Sequence, residues 1–180
     1  MKGEQQQIKR ASKQIGTQIA GVTREKAREA LNKIARKGTT PKDVLGLTDD
    51  MIEGIYGQAY NLYNTGKYLQ AIEVFRMLLM IAPTEAKYSM GLGACFHMLK
   101  EYKNAINAYG VLVVMDPRSP VGFYHMSDCF IQMGNPVSAV IALESAIKRS
   151  EGKPEFAVLK DRSLLTIESL KKEIKEGKFT

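Results

Sequence analysis

Cysteine and histidine are scarce in this chain of 180 residues, with two of each. Cys95, Cys129, His97 and His125 form neither a C-x-x-C nor an H-x-x-x-H pattern, so no zinc site is expected. A Gly-rich phosphate loop and a G-x-S-x-G elbow are missing too. The stretch "GLGAC", Gly91 to Cys95, lacks a third glycine and a preceding strand, and reads as a place where helices approach closely. No catalytic constellation emerges, so the expectation is a protein that is not an enzyme and carries no cofactor. Long apolar runs are also lacking. "MLLMIA", from Met77, is far short of the ~20 residues a membrane span needs, so direct membrane insertion is not expected. The opening "MKGEQQQIKRASKQ" is polar and has no signal-peptide core, which points to a cytoplasmic protein.

What is present is charge, unevenly placed. Residues 1–42 hold 11 Lys/Arg against 3 Asp/Glu, whereas residues 43–180 hold 15 against 16. The net charge of +7 therefore belongs to the N-terminal arm and not to the body. Residues 1–22 contain few apolar side chains and read as a flexible basic arm. No aromatics interleave with its charge, so nucleic acid is not the expected partner.

Internal periodicity carries the fold. Ala71, Ala105 and Ala139 lie 34 residues apart, as do Phe75, Tyr109 and Leu143, and Ala59, Gly93 and Ser127. Leu62, Phe96 and Phe130 keep the same step, and so do Pro83 and Pro117. Three units follow, 52–85, 86–119 and 120–153. Small residues let paired helices approach, aromatic and Leu columns fill between them, and proline stops the second helix. The spacing predicts helices over about 49–64, 67–81, 86–99, 101–115, 120–133 and 136–150. A last helix, 154–176, carries Phe156, Leu159, Leu164, Ile167, Leu170 and Ile174 on one side. Thr23 is a candidate cap for a further helix over 24–37, ended by Gly38. "VLVVMDPRSP", Val111 to Pro120, looks locally like a buried strand, but the repeat makes it the end of a helix and a turn.

A 34-residue period with these columns resembles the tetratricopeptide repeat, TPR. The resemblance implies an all-α fold: three TPR units forming an α-solenoid, with an N-terminal helix in 23–47 and a C-terminal capping helix, the TPR domain filling 48–180. Cys95 and Cys129 hold equivalent repeat positions and read as buried small hydrophobes. His97 is a candidate contact, and His125 has no evident partner. Tyr56, Tyr60 and Tyr63 follow the i, i+4, i+7 spacing of one helix stripe. In TPR proteins such positions line a concave groove. One repeat onward this stripe holds Met90, Ala94 and His97, with Met98 next to them, and a second step gives Tyr124, Asp128 and Ile131, with Gln132 next to them. Such a surface suits an extended apolar peptide, with Asp128 and tyrosine hydroxyls bonding its backbone. The alternative is that the tyrosines pack against the N-terminal helix or a second subunit. TPR domains that clamp a C-terminal carboxylate have Lys and Asn where this chain has Tyr56 and Tyr60, so that ligand is not expected.

"IYGQAY", "TGKYLQA", "GLGAC" and the "PEF" at Pro154–Phe156 are more specific. Over about 38–175 the chain resembles the class II translocator chaperones of bacterial type III secretion. The resemblance implies a cytoplasmic, non-catalytic chaperone whose groove takes a segment of a hydrophobic translocator protein. It carries client contact to Tyr56, Tyr60 and Tyr63, with Tyr68 and Tyr109 as supports, and places homodimerisation in 24–47. A TPR scaffold for another complex, with its basic arm on an acidic partner or nucleic acid, is the competing reading.

Overall fold

In a computed structural model, which describes residues 40–177, helices begin and end where local chemistry directs them. The short helix α1 (Pro41–Val44) was not anticipated from the sequence. Its signal is a capping box: the Thr40 hydroxyl accepts from the Asp43 N–H, and the Asp43 carboxylate accepts from the Thr40 N–H at 2.9 Å. Helix α2 (Asp49–Asn64) is capped by Thr48, whose hydroxyl accepts from Met51 N–H at 3.3 Å, with Asp49 and Asp50 in the first turn. There follow α3 (Tyr68–Ile81), α4 (Ala86–Met98), α5 (Tyr102–Met115), α6 (Val121–Gln132) and α7 (Pro136–Ser150). A 3₁₀ turn, Pro154–Phe156, leads into α8 (Ala157–Lys175). These bounds meet the sequence expectation to within one or two residues for six helices, and "PEF" forms the 3₁₀ turn ahead of the last one. No strand occurs among the described residues. The expected helix over 24–37 lies outside them.

The repeat is visible in the backbone. Ala82 and Asp116, each preceding a proline, end α3 and α5 with nearly the same angles, φ −134 and −128° with ψ 75° in both. A following proline keeps the residue before it out of the helical region. Gly66, Lys100 and Gly134, again 34 apart, all turn with positive φ, at 75, 60 and 68°.

The chain divides into two compact units, up to Tyr88 and from Ser89. In the first, α2 packs on α3, and Leu47, Ile52, Ile55, Ile72, Phe75, Leu78 and Ile81 form the core. Ala59 and Ala71 are wholly inaccessible, as the small-residue columns require. In the second, α5 packs on α6, α6 on α7 and α7 on α8. Ala139, Val140 and Leu143 of α7 meet Ile167 and Leu170 of α8. Burying a Val, Leu or Ile side chain contributes ~1.5–3 kcal/mol.

The face expected for α8 needs a correction. Ile167 and Leu170 are buried, but Leu164 is 48% exposed and Ile174 40%. Ser163 takes the inward position and donates to the Leu159 carbonyl at 2.8 Å, which satisfies its hydroxyl inside the contact. A small residue there lets α8 lie close to α7.

Candidate functional site

Helix α2 presents the tyrosine stripe of the first unit. Tyr56 is half-buried: its ring centroid lies 6.2 Å from Phe75, 5.8 Å from Tyr88 and 6.4 Å from Tyr60. The Lys87 ammonium sits 4.7 Å above the Tyr56 ring and forms an ion pair with Glu53. That pairing, chiefly the hydrogen bond to Glu53, raises the Lys87 pKa. Tyr60 is 54% exposed. Tyr63 is half-buried and meets Tyr68, at the start of α3, edge-on at 5.6 Å. The four tyrosines thus form a stripe of two ring pairs, the first anchored in the core through Tyr56 and open at Tyr60. Lys87 and Tyr88 were not foreseen as part of it. Their signal was the pairing of Glu53 with a residue one repeat on.

The second unit carries a mixed stripe. On α4, Met90, Ala94 and His97 are half-buried and Met98 is 51% exposed. On α6, Tyr124, Asp128 and Ile131 are half-buried and Gln132 is exposed. The His97 ring stands edge-on to Tyr102 at 5.7 Å, and the Tyr102 hydroxyl donates to Gln132 Oε1 at 3.5 Å. Tyr102, the repeat partner of Tyr68, therefore joins α4, α5 and α6, a role the repeat column alone did not disclose.

Tyr109 stands behind this surface, not on it: it is 1% exposed, so it supports and does not touch a ligand. His125 also needs correcting. It stacks on Tyr109 at 5.2 Å and meets Tyr124 at 5.8 Å, so it has two ring partners. Burial lowers its pKa. Cys95 and Cys129 are free and inaccessible, and burial pushes both thiols up to about 11. Among the described residues no group of three or more His, Cys, Asp or Glu could hold a metal ion, and no helix is long and apolar enough to cross a membrane.

Helix pairs on a 34-residue period, each first helix offering aromatic, Met and a few polar side chains, define a TPR protein with surfaces suited to a peptide. The tetratricopeptide repeat family matches over 52–84 and 87–118. The low calcium response locus protein H of Yersinia pseudotuberculosis is 32% identical over 147 residues, spanning 81% of this chain and 88% of that protein. The Yersinia enterocolitica type III secretion translocator chaperone SycD has a similar structure, with TM-score 0.69 and 31% identity over 73% of this chain and 98% of that one. SycD in complex with a peptide of the translocator YopD gives TM-score 0.66 and 32% identity over 70% and 96%. This chain belongs to the translocator chaperones of type III secretion.

Proposed function

We propose that this protein is a cytoplasmic, non-catalytic chaperone that binds an extended apolar segment of a hydrophobic translocator and keeps that client soluble for export. The tyrosine row of α2 carries the reading. Tyr60 leaves more than half its surface open beside rings that are already held in place, so a ligand meets aromatic area with little further loss of side-chain freedom. Met90, Met98, His97, Tyr124, Asp128 and Ile131 offer a second, more adaptable set of contacts, with Ala94 leaving room between them. Peptide binding by SycD supports assigning both stripes to the client. A client with membrane-seeking segments aggregates when those are exposed. Covering one segment requires no bond to be made or broken, and hence no cofactor. The reading also places homodimerisation in 24–47, which the resemblance supports.

The test is co-expression with candidate hydrophobic translocators. The client is expected in the soluble fraction, bound to this chain. Equal solubility of every candidate without this chain would sink the reading.

A further inference from the structure

Helix α6 carries one carboxylate, Asp128, that has no hydrogen-bond or ion-pair partner among the described residues. Asp128 is half-buried, and no donor among the described residues lies within bonding distance of it. Two neighbouring polar groups bond elsewhere. Ser127 donates to the Tyr124 carbonyl at 2.6 Å, and Gln132 accepts from Tyr102. Burial raises the Asp128 pKa, and only His97 works against that shift. Asp128 lies one turn after Tyr124 and one turn before Gln132, so these three residues share one stripe with Ile131 close by.

An acid in this position is half-buried and has no partner among the described residues, which is unfavourable while the surface is empty. A ligand that brings only methyl groups would bury the charge further. One that brings a cation removes the penalty and gains a charge-assisted bond in a low-dielectric setting. Backbone N–H groups of an extended segment recur along its whole length and need no charged acceptor. A single carboxylate on an otherwise neutral stripe fits a single charge.

We propose that Asp128 selects a client segment bearing one arginine or lysine beside its apolar anchors. The basic side chain lays its aliphatic stem along Tyr124 and Ile131 and directs its N–H groups to the Asp128 carboxylate. This deepens the chaperone reading above and rests on it.

The probe is a set of fluorescein-labelled synthetic peptides with fixed apolar anchors. One guest position, moved along the segment, carries arginine, glutamine or glutamate. Anisotropy titrations use the full chain. At one guest position arginine is expected to bind about tenfold more tightly than glutamine, and glutamate more weakly than both. In Asp128→Asn the arginine preference disappears, so that the arginine and glutamine peptides bind that variant alike. If arginine gains nothing over glutamine at any position although the peptides bind, Asp128 is no charge selector and the inference falls alone. An arginine preference that survives Asp128→Asn also overturns it. If no peptide binds, the peptide-binding reading fails and takes the inference with it. The peptide comparison on the unmutated protein needs no variant to fold.

Discussion

Gly93 on α4 is covered by the ring of Tyr109 on α5: a Cβ added at Gly93 would lie 2.5 Å from Cε1 and 2.6 Å from Cδ1 of that ring. The ring has little room to retreat, because it is 1% exposed and stacked on His125 from α6. Gly93→Ala gains about 1 kcal/mol of helix propensity and loses about 1–3 kcal/mol to overpacking. A net loss of about 1 kcal/mol is expected by urea unfolding. Adding Tyr109→Leu should make the alanine less harmful than it is alone, by a double-mutant cycle. Additive effects would mean that the ring yields freely.

Lys100 holds a conformation that its repeat partners give to glycine. Its φ is 60°, against 75° at Gly66 and 68° at Gly134. A side chain in this region costs roughly 1–2 kcal/mol, part of which is offset by the extra unfolded-state freedom of glycine. Lys100→Gly should therefore stabilise the protein by about 0.5–1 kcal/mol, read as a higher urea midpoint with an unchanged slope. A lower midpoint would show that the lysine makes a contact worth more than the strain.

These two positions show what the sequence discloses and what it hides. The 34-residue columns located the helices because each column answers a packing need: Ala71 and Ala105 are inaccessible where two helices must approach. The same columns overrode the strand-like look of "VLVVMDP". Leu112 is buried there, while Val111 and Val114 are 46% and 79% exposed, a helical pattern and not an alternating one. The candidate site was less legible. Helix spacing says which side chains share a stripe, and so grouped Tyr56, Tyr60 and Tyr63. It does not say how far a neighbouring helix covers that stripe, so it could not separate half-buried Tyr56 from open Tyr60. The partners of His125 lie on its own helix and on α5, and only the fold brings the latter within stacking distance.

Acid should weaken the second unit through His125. Burial lowers its pKa below the ordinary 6.5, with His97 adding to the shift. Tyr109 and Tyr124 are the other titratable groups against its ring. The unfolded chain then takes up the proton first, so stability falls as pH drops from 6.5 toward the folded value. Asp128, with its raised pKa, acts in the opposite sense, nearer the ordinary 3.8. His125→Phe keeps a ring against Tyr109 and removes the titration. The variant should lose less stability than the parent between about pH 7.5 and about pH 5.5 in urea unfolding. Equal losses would relieve His125 of this role.

Both cysteines should be silent in the native protein. With thiols near 11, only about one in a thousand is ionised at pH 8, and neither side chain is accessible. Ellman's reagent is expected to release its chromophore from two thiols in denaturant and from almost none beforehand. A fast native reaction would show that α4 or α6 opens readily.

Tyr60 and Tyr56 should separate binding from stability. Tyr60 is open, so Tyr60→Ala is expected to shift stability by no more than about 0.5 kcal/mol. It should nonetheless weaken the complex with a co-expressed translocator by at least about 1 kcal/mol, since aromatic anchors dominate such contacts. Tyr56 touches Phe75 and Tyr88 and lies under Lys87, so Tyr56→Ala removes core packing as well. A stability loss of about 2–3 kcal/mol is expected there, short of the full cost of a wholly buried aromatic because the site is half open. Tyr56→Phe keeps those contacts and tests the hydroxyl alone. Calorimetric titration of the purified variants, with thermal unfolding of each, gives both quantities. If Tyr60→Ala binds the translocator as well as the parent does, the exposed tyrosine of the stripe is not the contact, and the client lies elsewhere on the chain.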